Sequence, residues 1–77
     1  MSFDEELDTL GLLCPLPVLK ARKRLQSMEH GQVLVMRADD PAAMVDVPHF
    51  CAEQGHGLLS EECATDGVML FRIRKGG

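Results

Sequence analysis

Cys14 opens the run Cys14-Pro15-Leu16-Pro17, and its type and setting make it the side chain of this sequence best suited to chemistry. The thiolate is the nucleophilic form of cysteine. A helix N-terminus, with unpaired N–H groups and a positive dipole end, favours that anion and lowers a thiol pKa of about 8.5. Proline is tolerated in a first helical turn, where its missing N–H costs no internal bond. Pro15 and Pro17 therefore predict a helix opening here, with Cys14 as its N-cap. Position 17 has no N–H, which makes the Leu16 N–H the expected near donor to sulfur. The competing reading is a small buried cysteine beside a proline that merely starts a helix. Cys51 and Cys63 are distant in sequence, and a single sulfur with no resolving partner suits group transfer better than dithiol redox chemistry.

The elements that must hold Cys14 follow from apolar spacing and turn residues. A loose acidic tail, residues 1–5, precedes a short strand over Glu6–Leu10 that Gly11 ends. The helix opened by Cys14 runs to about His30, with Gly31 as its left-handed stop, and Gln32–Ala38 forms a strand. Asp39-Asp40-Pro41 predicts a second helix with Asp40 as N-cap, reaching Gln54 and stopping at Gly55. Pro48 inside it predicts a kink or a split into two short turns of helix. Leu58–Ala64 and Val68–Arg74 read as strands joined through Thr65-Asp66-Gly67, a hairpin signal. The order βαβαββ predicts an α/β (α+β) two-layer sandwich, two helices on one face of a four-stranded mixed sheet. One domain spans residues 6–75 and Gly76-Gly77 reads as a flexible tail. In the last strand Met69, Phe71 and Ile73 should meet the helices, with Leu70, Arg72 and Arg74 on the other face.

On the first helix, Val18, Ala21, Leu25 and Met28 form an apolar stripe that predicts core. Leu16, Leu19, Lys20 and Lys23 fall opposite it, beside the cysteine, and read as a docking patch; against that, lone exposed leucines are ordinary. Lys20, Arg22, Lys23 and Arg24 are half of the eight basic residues of a chain with net charge −4, a local patch that favours an acidic protein surface.

The whole composition excludes several classes. Seventy-seven residues make one small domain and leave no room for a second domain or a large enclosed cofactor pocket. With 45% apolar and 26% charged residues the chain is not of the disordered type. Negative charge and the lack of Trp and Tyr speak against direct nucleic-acid binding. The apolar run Val33–Met36 is far short of the ~20 residues of a membrane span. The acidic N-terminus is unlike a secretory signal, and three cysteines are too few for a disulfide scaffold, so a cytoplasmic location is expected. His49, Cys51, His56 and Cys63 lack the spacing of a zinc knuckle or ribbon, so no metal is expected; His49 reads as surface and Cys51 as core.

These residues also stand in a familiar frame. Leu7-Asp8 through Gly11-Leu12, followed by Cys14-Pro15-Leu16-Pro17 and then Arg22-Lys23, resembles the signature of the TusA/SirA family of small sulfur-carrier proteins. Asp39-Asp40-Pro41-Ala42, Asp46-Val47-Pro48 and Phe50-Cys51 resemble its second-helix region. The ending Arg74-Lys75-Gly76-Gly77 is similar to that of the tRNA-pathway carrier that gives the family its name. The resemblance implies a βαβαββ fold in which Cys14 carries sulfane sulfur as a persulfide. The sulfur would come from a pyridoxal-phosphate cysteine desulfurase or another sulfurtransferase and pass to a downstream relay protein, in the tRNA pathway toward 2-thiouridine. It further implies that Pro15 and Pro17 shape the site, that Arg22 and Asp40 contact the donor, and that this chain needs no cofactor of its own; separately, a monomer is expected. Position 16 is Leu here where the tRNA-pathway carrier has an acidic residue, a difference that bears on the acceptor rather than on sulfur binding. Two rival readings stand beside this one. Gly76-Gly77 resembles the ending of ubiquitin-like carriers that hold sulfur as a C-terminal thiocarboxylate, and the basic helix alone would suit a non-catalytic regulatory or binding module.

Overall fold

Alternating burial along the strands, and apolar stripes on the helices, build one core between two layers. The computed structural model describes residues 3–76; the tail expectations for residues 1–2 and for Gly77 lie outside them. Its elements are β1 (Glu5–Asp8), α1 (Leu16–Gln26), β2 (Val33–Ala38), α2 (Ala43–Gln54), β3 (Gly57–Cys63), a short 3-10 turn (Thr65–Gly67) and β4 (Met69–Arg74). The sheet order is β1-β2-β4-β3, with β1 parallel to β2 and β4 antiparallel to both β2 and β3. This is the four-stranded mixed sheet that the sequence pattern predicts. The parallel β1–β2 pair needs a crossover connection, and α1 supplies it.

Met69, Phe71 and Ile73 of β4 are buried with Leu34, Met36 and Ala38 of β2. The helices cover this face with Ala21 and Leu25 of α1, Met28 just beyond it, and Ala43, Val47, Phe50 and Cys51 of α2. Removing so much apolar surface from water, at roughly 25 cal/mol per Å², is the main force holding the two layers together.

Beyond one-residue shifts at the ends of β2, β3 and β4, the limits of β1, α1 and α2 differ from expectation for local reasons. Glu5, placed by sequence in the acidic tail, begins β1, and Asp4 is tied to Val33 twice, through its N–H at 2.7 Å and its carboxylate at 2.8 Å. The strand then ends at Asp8 rather than Leu10, because Thr9 turns inward and is fully buried. Its N–H and its hydroxyl both donate to the Arg37 carbonyl, at 2.9 and 2.5 Å. Helix α1 stops at Gln26 rather than near His30. There the Ser27 hydroxyl donates to the Arg24 carbonyl at 2.8 Å, and the N–H groups of Ser27 and Met28 reach back only three residues. Helix α2 begins at Ala43 instead of Pro41 and passes through Pro48 as one element. The carbonyl that Pro48 leaves without its helical donor belongs to Met44, an exposed residue on the first turn.

The chain end is held rather than loose up to Gly76. Gly55 closes α2 in the left-handed region at φ 76°, and a Cβ on Gly76 would overlap the Gly55 carbonyl. The Gly76 N–H donates to His56 Nδ1 at 3.0 Å, while the His56 ring lies 5.5 Å from that of Phe50. Partial burial, and secondly the Lys75 charge, push the His56 pKa below its ordinary 6.5. A neutral His56 is thus favoured by the fold. The stability it contributes is complete above about pH 6.5 and is lost as pH falls through the lowered folded-state value. Between pH 7 and pH 5 the melting temperature of wild type, followed by circular dichroism, should fall more than that of His56→Gln, which keeps an acceptor but does not titrate. Equal falls in the two proteins would refute this linkage.

Candidate functional site

The loop between β1 and α1 carries Cys14 and is fastened to the loop between β2 and α2 by two adjacent carboxylates. Asp39 Oδ1 accepts the Gly11 N–H at 3.0 Å, and Asp40 Oδ2 accepts the Cys14 N–H at 2.6 Å. The other oxygen of Asp40 accepts the Ala42 N–H at 3.1 Å, and its backbone carbonyl accepts the Ala43 N–H at 2.9 Å. The N-cap of α2 is nevertheless Ala42, with no side-chain capping bond, so Asp40 is not the cap that the sequence predicts; its carboxylate closes the turn ahead of the helix and also fixes the backbone of the cysteine.

Cys14 itself is exposed but is not the N-cap of α1. That position is Pro15, and it makes no side-chain capping bond; Leu16 and Pro17 are the first two helical residues. The Cys14–Pro15 peptide bond is cis. The Leu16 N–H donates to the Leu13 carbonyl at 2.8 Å, so it is not the donor to sulfur that the sequence suggested. Instead Cys14 Sγ donates to Asp46 Oδ2 of α2 at 2.8 Å.

The electrostatics follow from that placement, and they reverse the expected direction. The hydrogen bond to Asp46, then desolvation and the negative charges of Asp46 and Asp40, raise the Cys14 pKa above its ordinary value. A helix dipole acts strongly only within its first turn, and here the sulfur sits before the cap and faces a carboxylate. Cys51 is a different case: it is buried in the core, and burial alone pushes its thiol up to about 11. Cys63 is exposed at the end of β3.

Around Cys14 an open groove of about 300 Å³ runs between the helices, with Pro15, Leu19 and Arg22 on its α1 side and Asp46, His49 and Glu53 on its α2 side. His49 pairs with Glu53 at 3.3 Å and is a surface residue, as its position in the sequence predicts. A second open groove, about 590 Å³, lies on the other flank of α1 among Leu7, Leu16, Leu19, Lys20, Lys23, Arg24 and Ser27. The larger hollow is not the one beside the thiol. The expected docking patch is thus divided: Arg22 shares the cysteine's groove, Leu16, Lys20 and Lys23 face the other, and Leu19 borders both. Leu16 and Leu19 are 46% and 48% exposed, and Leu13 beside the cysteine is 69% exposed. Pro17 is buried against the core, and Arg24 leaves the basic patch to bind Glu5 at 3.2 Å and the Glu6 carbonyl at 2.8 Å.

Sequence reasoning assigned no role to Asp46. The signal was present: Asp46, His49 and Glu53 recur at helical spacing of three and four, a polar stripe on one face of α2. Nothing in the sequence pairs that stripe with Cys14, because α1 and α2 meet only in the folded layer.

The fold and the site define a small two-layer α/β domain that presents a single hydrogen-bonded thiol at the mouth of an interhelical groove. The chain matches the family model described as sulfurtransferase TusA over residues 5–75, and it belongs to that family of sulfur-carrier and sulfurtransferase proteins. It is also similar to the crystal structure of a SirA-like protein from Desulfitobacterium hafniense, with a TM-score of 0.83 and 25% identity, covering 96% of this chain and 100% of that one. Among the described residues no helix is long and apolar enough to cross a membrane, and no three His, Cys, Asp or Glu side chains are grouped to hold a metal ion.

The raised Cys14 pKa predicts slow alkylation at neutral pH. With iodoacetamide and peptide-resolved mass spectrometry, Cys14 should react at pH 7 more slowly than an unstructured cysteine peptide, its rate still climbing past pH 9. A thiolate already fully reactive at pH 7 would contradict the hydrogen-bonded arrangement.

Proposed function

We propose that this protein is a sulfur carrier in which Cys14 receives sulfane sulfur as a persulfide and delivers it to an acceptor protein. The observation that carries the reading is an exposed thiol at the groove mouth, its sulfur bonded to Asp46 and its backbone N–H to Asp40, in a chain of the TusA family. The Cys14 sulfur attacks the terminal sulfur of a donor persulfide, R–S–SH. A new S–S bond forms at Cys14, the S–S bond within the donor breaks, and the departing donor thiolate takes up the proton that Cys14 gives up. The sum is R–S–SH plus Cys14–SH giving R–SH plus Cys14–S–SH, with no net oxidation.

The donor class is a cysteine desulfurase or another sulfurtransferase, and any pyridoxal phosphate belongs to that donor. The acceptor is a downstream relay protein, with tRNA 2-thiouridine formation as one destination. Arg22, Leu19, Leu16, Lys20 and Lys23 supply the partner-binding surface; Asp40 acts on the cysteine loop. The protein works as a cytoplasmic monomer without binding nucleic acid itself. We favour this over a thiocarboxylate at Gly76-Gly77 because Gly76 is tied to His56, and over a purely regulatory module because the thiol is exposed.

The test is intact mass after incubating the reduced protein with a cysteine desulfurase, pyridoxal phosphate and cysteine. Wild type should gain one sulfur, about 32 Da, removable by reductant. Cys14→Ser should gain none, whereas Cys51→Ala and Cys63→Ser should load like wild type. No gain with this donor or with a second sulfurtransferase would overturn the carrier reading.

A further inference from the structure

A carrier thiol that must attack a partner's sulfur has, in the free protein, two carboxylates as its charged neighbours. Asp46 holds the proton of Cys14 through the 2.8 Å contact with Sγ, and Asp40 lies on the other side of the residue, bonded to its backbone N–H. Among the described residues the Asp46 carboxylate makes no other hydrogen bond and no ion pair, so its position on α2 is spent on the sulfur alone. The remaining charged or titratable groups of the groove are Arg22 from α1 and His49 and Glu53 from α2, with His49 and Glu53 paired to each other. The charges that act on the sulfur are those of Asp46 and Asp40, both negative. A carboxylate is too weak a base to strip a thiol outright, so this pairing stores the proton rather than removing it.

We propose that Asp46 is a positioning residue that gates Cys14: its carboxylate keeps the free protein's cysteine as a hydrogen-bonded thiol, and a cationic side chain of the sulfur donor that pairs with Asp46 releases the sulfur for attack. The proposal rests on the carrier reading and adds to it the chemistry by which a donor is recognised. An arriving cation beside Asp46 weakens its hold on the thiol proton and replaces a repelling charge with an attracting one, so the sulfur becomes nucleophilic only in the complex. The proton then passes to the donor thiolate that leaves, as the balance of the transfer requires. A free carrier so gated is slow to react with stray oxidants and electrophiles, whose target is the thiolate.

The gate gives a pair of effects in opposite directions. Asp46→Asn keeps the shape of the side chain but loses its charge. The pH profile of Cys14 alkylation by iodoacetamide should move to lower pH, with the rate at pH 7 rising several-fold, and Asp46→Glu should restore a profile near that of wild type. Sulfur loading of Asp46→Asn by a cysteine desulfurase should instead show a raised KM, because the donor's cation has lost its partner. Circular dichroism of each variant checks that it is folded, and a purely structural role would change stability without moving the alkylation profile. An alkylation profile unchanged in Asp46→Asn would overturn the gate. Faster alkylation with an unchanged or lower KM for the donor would overturn the donor-cation step. Failure of the carrier reading is separate and visible: wild type itself would then take up no sulfur, whatever its alkylation profile.

Discussion

The bonds from Asp39 and Asp40 to the backbone of the preceding loop are the constraint on which the site depends. Two carboxylates at the end of β2 accept N–H groups from Gly11 and Cys14, donors that the loop has no internal partner for. Hydrogen bonds to an ionised acceptor are roughly twice as strong as neutral ones, so a stretch with little core of its own is fixed to the sheet. Thr9 completes the clamp from below by placing two donors on one carbonyl of β2. Because β1 and β2 are parallel neighbours, both loops emerge at the same edge of the sheet, and the carboxylates meet the cysteine loop there.

That same clamp decides the character of the sulfur. Had Cys14 capped α1, the dipole would favour its anion. Placed one residue before the cap and turned toward α2, it meets Asp46 and is held as a thiol. Among groups so exposed, Coulomb effects are screened and modest. The direct hydrogen bond is therefore the leading influence, and it is one that a partner surface can remove. Under the proposed gate, reactivity belongs to the complex rather than to the isolated protein.

Helix α1 forms a ridge between two grooves. Its buried side is fixed by Pro17, Ala21 and Leu25, which leaves Leu16 and Leu19 exposed above the sheet and Arg22 turned toward α2. Arg24 is committed to β1, where it ties the helix to the edge strand. The basic run is thus partly structural, and its other cations lie on two different flanks.

By itself, the sequence determined the element order, the mixed two-layer architecture, the core stripe of α1 and the inward face of β4. All of these rest on periodicity of apolar residues, which is local information. It also marked Cys14, through its setting between a glycine-ended strand and two prolines. Helix limits were less legible, since Ser27 and the Asp40 turn compete with helical continuation through side-chain bonds that a propensity reading does not count. Only the tertiary structure decided what the sulfur faces. Asp46 is 32 residues away in the chain, and its contact with Cys14 exists because α1 and α2 lie side by side on one face of the sheet. A helix-end rule applied to the sequence favours the thiolate; a carboxylate delivered by the neighbouring helix favours the thiol, and at hydrogen-bond distance the second effect wins.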